Sequence, residues 1–296
     1  MFWYLDYDEP VYRPPSEAQS LILQITLGCS QNRCTFCGMY KTKHFAVRPV
    51  EEVVAQVAAI PATHRPMIQR VFLADGDALV YPQEGLVKIL DALDRMLPNL
   101  RRVAAYASPN SLTTKTVDDL VLLREKKLKL LYFGLESGDD RTLSEVNKGY
   151  GADEMLALCR KAHVAGMKLS VTAILGLAGR ERSDEHAAAT ARWINALSPT
   201  YFSLLTLFHR HNDDFFRSLE PLTRGGILEE ALTLVTQLNP LRTILRSNHV
   251  SNILNLAGSY PRDREKIISQ AQEALHFAAQ RPEWYDEVPD YREDRF

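Results

Sequence analysis

The chain has 296 residues, 46% hydrophobic and 24% charged, with 35 basic and 37 acidic side chains and a net charge of −2. This is ordinary globular composition, long enough to bury a large core. Without a basic excess, nucleic acid and anionic membranes are not expected partners, and no run of about 18 apolar residues is available to span a bilayer.

The N-terminal stretch Met1-Phe-Trp-Tyr-Leu-Asp-Tyr-Asp-Glu-Pro10 lacks the basic start and apolar run of a secretory signal, so a cytoplasmic protein is expected. Residues 1–19 hold three prolines and several aromatics without a clear period, which predicts an extended segment. From residue 20 a rhythm sets in. Short, β-branched apolar runs predict strands at Leu21–Thr26, Arg70–Ala74, Arg102–Ala107, Leu130–Leu135, Lys168–Leu175 and Tyr201–Leu205. Amphipathic stretches between them predict helices at Val50–Ile60, Glu84–Met96, Thr116–Lys127, Ala152–Ala165 and Asp184–Leu197. Ser183 before two acids is expected to cap the last helix, and Gly166 to close the one before it. The basic run 124–129 suits the dipole at a helix C-terminus.

Successive βα units require parallel strands joined by right-handed crossovers. The expected class is therefore α/β: a partial (β/α)6 TIM-like barrel over 20–208, with its chemistry at the carboxyl ends of the strands. Residues 209–296 are expected to form a C-terminal α/β extension completing the same domain. It holds the polar segment His209–Asp214, a helix near Gly226–Leu238, a strand near Arg242–Arg246, a polar stretch to Asn252 and a helix over Arg262–Gln280.

Three of the four cysteines fall in nine residues, Cys29-Ser-Gln-Asn-Arg-Cys34-Thr-Phe-Cys37, directly after the first predicted strand. In a reducing compartment such spacing points to metal rather than disulfide chemistry. Three thiolates can hold three irons of a cubane and leave the fourth open. Two alternatives share the spacing: a zinc site with His44 as fourth ligand, and an iron–sulfur carrier or sensor without catalysis. Cys159, on a predicted amphipathic helix, reads as a small buried hydrophobe.

With these motifs in order, residues 20–208 resemble the radical S-adenosylmethionine (SAM) superfamily, in the branch of the methylthiotransferase-like enzymes and oxygen-independent coproporphyrinogen oxidases. The resemblance implies a [4Fe–4S] cluster on Cys29, Cys34 and Cys37, with SAM on the open iron. The first cysteine gap is four residues here, one longer than usual. Phe36 would lie beside the adenine. Ala74-Asp75-Gly76-Asp77 resembles the family's motif for the methionine amino group, with Asp75 replacing a glycine. In Gly134-Leu-Glu136-Ser137-Gly138, Glu136 would accept the ribose hydroxyls. Ile174-Leu-Gly176 resembles the adenine-side motif, although Thr172 stands where the first glycine is usual. The implied activity is one-electron cleavage of SAM and hydrogen abstraction from an organic small molecule, fed by a flavodoxin-like or ferredoxin-like donor. Substrate chemistry is expected from Arg246, as an anion holder, and His249, as a proton carrier.

Overall fold

The computed structural model describes residues 5–291. Residues 1–4 of the expected N-terminal segment and residues 292–296 of the tail lie outside the described residues. In chain order the strands and helices are β1 (Leu21–Gln24), β2 (Thr26–Leu27), β3 (Ala46–Val47), α1 (Val50–Ala58), β4 (Arg70–Ala74), α2 (Gln83–Met96), β5 (Arg102–Ala107), α3 (Pro109–Thr113), α4 (Val117–Glu125) and β6 (Leu128–Glu136). They continue as α5 (Asp140–Glu145), α6 (Ala152–Val164), β7 (Lys168–Leu175), α7 (Ser183–Leu197), β8 (Tyr201–Thr206), α8 (Asp213–Ser218), α9 (Arg224–Gln237), β9 (Ile244–Arg246), β10 (Ala257–Ser259), α10 (Arg264–Ala279) and α11 (Pro282–Tyr285).

The expected α/β class is the one found. Eight strands form a mostly parallel sheet in the order β1-β4-β5-β6-β7-β8-β9-β10, and β2 pairs with β3 as a separate antiparallel ribbon. By internal contacts the chain groups into two units interleaved in sequence: Met1–Asn32, Met39–Phe133 and Leu158–Leu169 in the first, and Arg33–Gly38, Gly134–Ala157 and Ser170–Phe296 in the second.

In the first unit β1, β4, β5 and β6 are parallel, with Leu23 opposite Leu73, Leu73 opposite Ala105 and Ala105 opposite Leu131. These positions are fully buried, which is why the strands read as continuous apolar runs rather than alternating ones. Leu86, Ile89, Leu90 and Leu93 of α2 repeat at helical spacing and are almost wholly buried, each contributing roughly 1.5–3 kcal/mol. A buried polar cluster also forms there, in which Glu17 accepts from Tyr132 Oη at 2.6 Å and pairs with Arg102 at 2.5 Å.

In the second unit β7, β8 and β9 are parallel and β10 returns antiparallel to β9. Val171, Phe202 and Leu245 line up across the first three and are fully buried. In the first unit, Gly166, at φ +76, ends α6 as expected, its N–H bonding His163 O while Met167 N–H reaches Ala162 O. Ser183 does not cap α7. It is the first helical residue, behind Arg182, and its hydroxyl donates to Glu230 instead. A buried carboxyl acceptor outcompeted the local cap.

The short helices α3, α5 and α8 fall within stretches expected as loops. Two of them carry polar caps: Ser108 bonds reciprocally with Ser111, and Asp139 accepts from Thr142 N–H at 2.9 Å.

Candidate functional site

In the first unit, β1 and β2 lead into Gly28 and Cys29, and β4 ends at Ala74, one residue before Asp75. The Asp75 carboxylate is fully buried. Its Oδ2 accepts from Gln24 Nε2 at 2.9 Å, Gly28 N–H at 3.1 Å and Lys43 Nζ at 3.0 Å. Its Oδ1 is buried without a hydrogen-bond partner among the described residues. Burial raises the Asp75 pKa, and the bonds from Lys43, Gln24 and Gly28 oppose that rise. This side chain thereby joins β1, the turn before Cys29 and the segment after the cysteines. A glycine could not do so.

Asp77 is also fully buried and wholly engaged within its own unit. Its Oδ1 accepts from Ser108 N–H at 3.0 Å; its Oδ2 takes the Ser108 hydroxyl at 2.6 Å and the Ser30 hydroxyl. Burial pushes its carboxyl up, against these bonds. The side chain thus anchors Ser30, next to Cys29, to the carboxyl end of β5. Gly76 is needed for the fit: a Cβ there would stand 2.7 Å from the Tyr40 ring and 3.0 Å from Cys29 Cβ.

In the second unit, residues 33–38 carry Cys34 and Cys37. The Thr35 N–H bonds Val146 O at 3.0 Å, Asn147 Nδ2 bonds Arg33 O at 3.2 Å, and Asn212 Nδ2 bonds Phe36 O at 2.6 Å. Asn212 is 4% exposed, so the polar segment His209–Asp214 secures this part of the loop with a buried amide. Phe36 is buried.

Glu136 ends β6 in the left-handed region at φ +68, a conformation that costs roughly 1 kcal/mol or more for a non-glycine residue. Its Oε1 meets Lys148 Nζ at 3.1 Å, both groups being largely buried. The carboxylate lies over Gly134, where a Cβ would stand 3.0 Å from the Glu136 carboxyl carbon. Ser137 is fully buried and bonds His186 Nδ1 at 2.7 Å. Past β7, Gly176 turns at φ +82, with its N–H on Glu230 at 2.7 Å. Ile174 is half-buried.

His249 lies at the carboxyl end of β8. Its Nδ1 meets Ser251 Oγ at 2.8 Å, and that oxygen accepts Thr206 N–H at 3.1 Å. Arg246 is the last residue of β9, in register with Ser203 of β8, and its guanidinium lies 5.2 Å from the ring of Tyr201, the first residue of β8.

The donor set suits an iron–sulfur cluster. Cys29, Cys34 and Cys37 are unbridged thiols, with Cys29 and Cys37 partly exposed. Among the described residues no three His, Cys, Asp or Glu side chains gather round a single-ion position. A cubane takes one thiolate per iron, so its ligands stand apart and no such gathering is required. His44, the fourth ligand of the zinc alternative, is exposed. Cys159 is fully buried on α6, and burial pushes its thiol far above the ordinary range. Among the described residues no helix is long and apolar enough to cross a membrane.

Ser30, Ser108, His186 and Glu230 are absent from the sequence-derived site. Only one signal pointed to any of them: Ser183, His186 and Thr190 repeat at helical spacing along the face that α7 buries.

Comparison with known proteins agrees with this geometry. The profile described as the Radical SAM superfamily matches residues 23–194. Ribosomal protein uS12 methylthiotransferase RimO of Anaeromyxobacter sp. (strain Fw109-5) is 33% identical over 174 residues, 55% of this chain and 35% of that protein. The heme chaperone HemW of Bacillus subtilis (strain 168) is 24% identical over 183 residues, 58% of this chain and 47% of that one. The chain thus spans less than half the length of these relatives. Among solved structures, coproporphyrinogen III oxidase (HemN) from Escherichia coli, described as a radical SAM enzyme, superposes with TM-score 0.54 at 17% identity, over 74% of this chain and 52% of that one. Methylornithine synthase (PylB) superposes with TM-score 0.50 at 14% identity, over 88% of this chain and 81% of that one. These two likenesses concern the fold.

Proposed function

Because the chain belongs to the radical SAM superfamily, whose members use a [4Fe–4S] cluster and S-adenosylmethionine, we propose that it is a single-cluster radical enzyme acting on an organic small molecule. The observation that carries this reading is the trio of unbridged thiols in one loop after the first strand, with the fourth cysteine sealed inside α6. Held by Cys29, Cys34 and Cys37, a reduced cluster would supply the one electron that reductive cleavage of SAM requires, the chemistry from which hydrogen abstraction at a substrate would start. The protein's part is to bind, orient and exclude water.

In this reading Cys29, Cys34 and Cys37 ligate iron. The main chain of Asp75, Gly76 and Asp77 receives the methionine ammonium, while the Asp75 and Asp77 carboxylates hold the adjoining loops. Glu136, aimed by Lys148 and the room above Gly134, accepts the ribose diol, with Ser137 fixing its turn. Phe36 and Ile174 supply apolar faces for the adenine, and Gly176 lets backbone approach it. Arg246 holds an anionic group of the substrate, and His249 is the proton carrier toward it. A flavodoxin-like or ferredoxin-like donor supplies the electron. The balanced charge of −2 supports a small-molecule substrate over nucleic acid. A cytoplasmic setting suits cysteines that form no disulfide.

Anaerobic reconstitution tests the reading. The expected result is about four irons and about four sulfides per chain, with dithionite-dependent formation of 5′-deoxyadenosine from SAM. A cluster that assembles and yields none would make the protein a carrier or sensor. Stoichiometric zinc without visible absorbance would make the loop a structural metal site.

A further inference from the structure

One group of buried polar side chains in the second unit contacts no proposed ligand, yet bonds both motifs assigned to the nucleoside. Glu230 on α9 is fully buried. Its Oε1 accepts the Gly176 N–H at 2.7 Å and its Oε2 the Ser183 hydroxyl at 2.6 Å. His186 on α7 is fully buried as well. Its Nε2 lies 3.1 Å from Ile174 O; a carbonyl can only accept, so that nitrogen carries the proton. Burial lowers the His186 pKa to about 4, so the ring is neutral and Nδ1 accepts the Ser137 hydroxyl at 2.7 Å. Ser137 Oγ in turn accepts the Asp139 N–H at 3.0 Å. One turn further along α7, Thr190 Oγ1 accepts the Gly138 N–H at 2.9 Å.

Ser183, His186 and Thr190 are spaced by three and four residues and share one face of α7. The bonds from His186 and Thr190 end on the loop after β6 or near the end of β7, and Ser183 on the same helix bonds Glu230. The approach is close: a Cβ on Gly138 would stand 2.6 Å from the Ala189 carbonyl carbon. The 3.7 Å between His186 Nε2 and Glu230 is not an ion pair, since the ring is neutral and its proton is directed to Ile174 O. For packing alone an apolar side chain would serve better at 230, because burying a carboxyl is unfavourable in itself.

We propose that Glu230 and His186 are positioning residues, holding the main chain of Ile174–Gly176 and the Ser137–Gly138 turn in the geometry that receives the nucleoside end of SAM. This rests on the reading given under Proposed function.

The test compares the parent, Glu230→Leu and Glu230→Gln as cluster-loaded proteins. Iron per chain and circular dichroism report integrity; equilibrium dialysis measures the affinity for SAM, 5′-deoxyadenosine and methionine separately. Glu230→Leu leaves the Gly176 N–H without an acceptor. It should weaken SAM and 5′-deoxyadenosine binding about tenfold, as the loss of one buried hydrogen bond implies, and methionine binding less than about twofold. Glu230→Gln keeps an acceptor and should recover most of the loss. Unchanged nucleoside affinity in Glu230→Leu overturns the inference, and so does an equal loss for nucleoside and methionine, which marks a merely structural role. If Glu230→Leu does not fold, Thr190→Val removes only the acceptor for Gly138 N–H and is read by the same split, with the same overturning results. A parent that binds iron but neither SAM nor 5′-deoxyadenosine instead defeats the proposed function, and the inference with it.

Discussion

Glu230→Gln should also change how stability depends on pH. Burial pushes the Glu230 carboxyl from its ordinary 4.5 up to about 7 in the folded chain. Burial lowers His186 from 6.5 to about 4. The signs oppose each other. A carboxyl whose folded pKa is raised imposes no penalty below about pH 4.5, where both states hold the proton. It withdraws stability as pH climbs from there to about 7, because the unfolded chain releases the proton first. A histidine whose folded pKa is depressed withdraws stability as pH falls from 6.5 to about 4. At about 1.4 kcal/mol per unit, each group is worth about 3 kcal/mol, so between pH 4.5 and 6.5 the two slopes nearly cancel in the parent. Glutamine removes one of them. Relative to the parent, Glu230→Gln should therefore gain roughly 2–3 kcal/mol between pH 5 and pH 8. Urea unfolding of both proteins at several pH values under anaerobic conditions, followed by far-ultraviolet circular dichroism, reads this difference, and groups common to both proteins drop out. A variant-minus-parent difference that stays level from pH 5 to pH 8, or declines, would refute the assignment of a buried carboxyl with a raised pKa.

Three further outcomes follow from the geometry. Cys34→Ala should lose the iron that the parent retains after anaerobic desalting, whereas Cys159→Ala should keep it and lose only about 1–2 kcal/mol of stability; a Cys159 variant without iron would contradict the ligand assignment. Asp77→Ala removes the acceptor of the Ser30 and Ser108 hydroxyls and one of the two acceptors of the Ser108 N–H, which keeps Ser111 Oγ. It should cost about 2–4 kcal/mol in thermal or urea unfolding, and a loss below about 0.5 kcal/mol would show that these bonds are replaced by water. Gly138→Ala forces a methyl group against the Ala189 carbonyl and should destabilise the chain by about 1–3 kcal/mol; wild-type stability would mean that α7 can shift away.

Alternating apolar and amphipathic runs sufficed to place β4, β5 and β7, because a parallel strand buried on both faces must be apolar throughout. Three cysteines in nine residues pointed to the cluster loop for an equally local reason: one short loop had to carry the whole donor set. The sequence also places Glu136 and Gly176 at strand ends, because each directly follows a predicted strand. What holds these residues was not legible. Asp77 bonds Ser108, 31 residues away, and Glu230 bonds Gly176, 54 residues away. The cap expected of Ser183 went to Glu230. Spacing along a chain determines which backbone forms and which residues can share a face. A buried polar group takes whichever partner the packed chain brings within about 3 Å, and only the tertiary structure decides that.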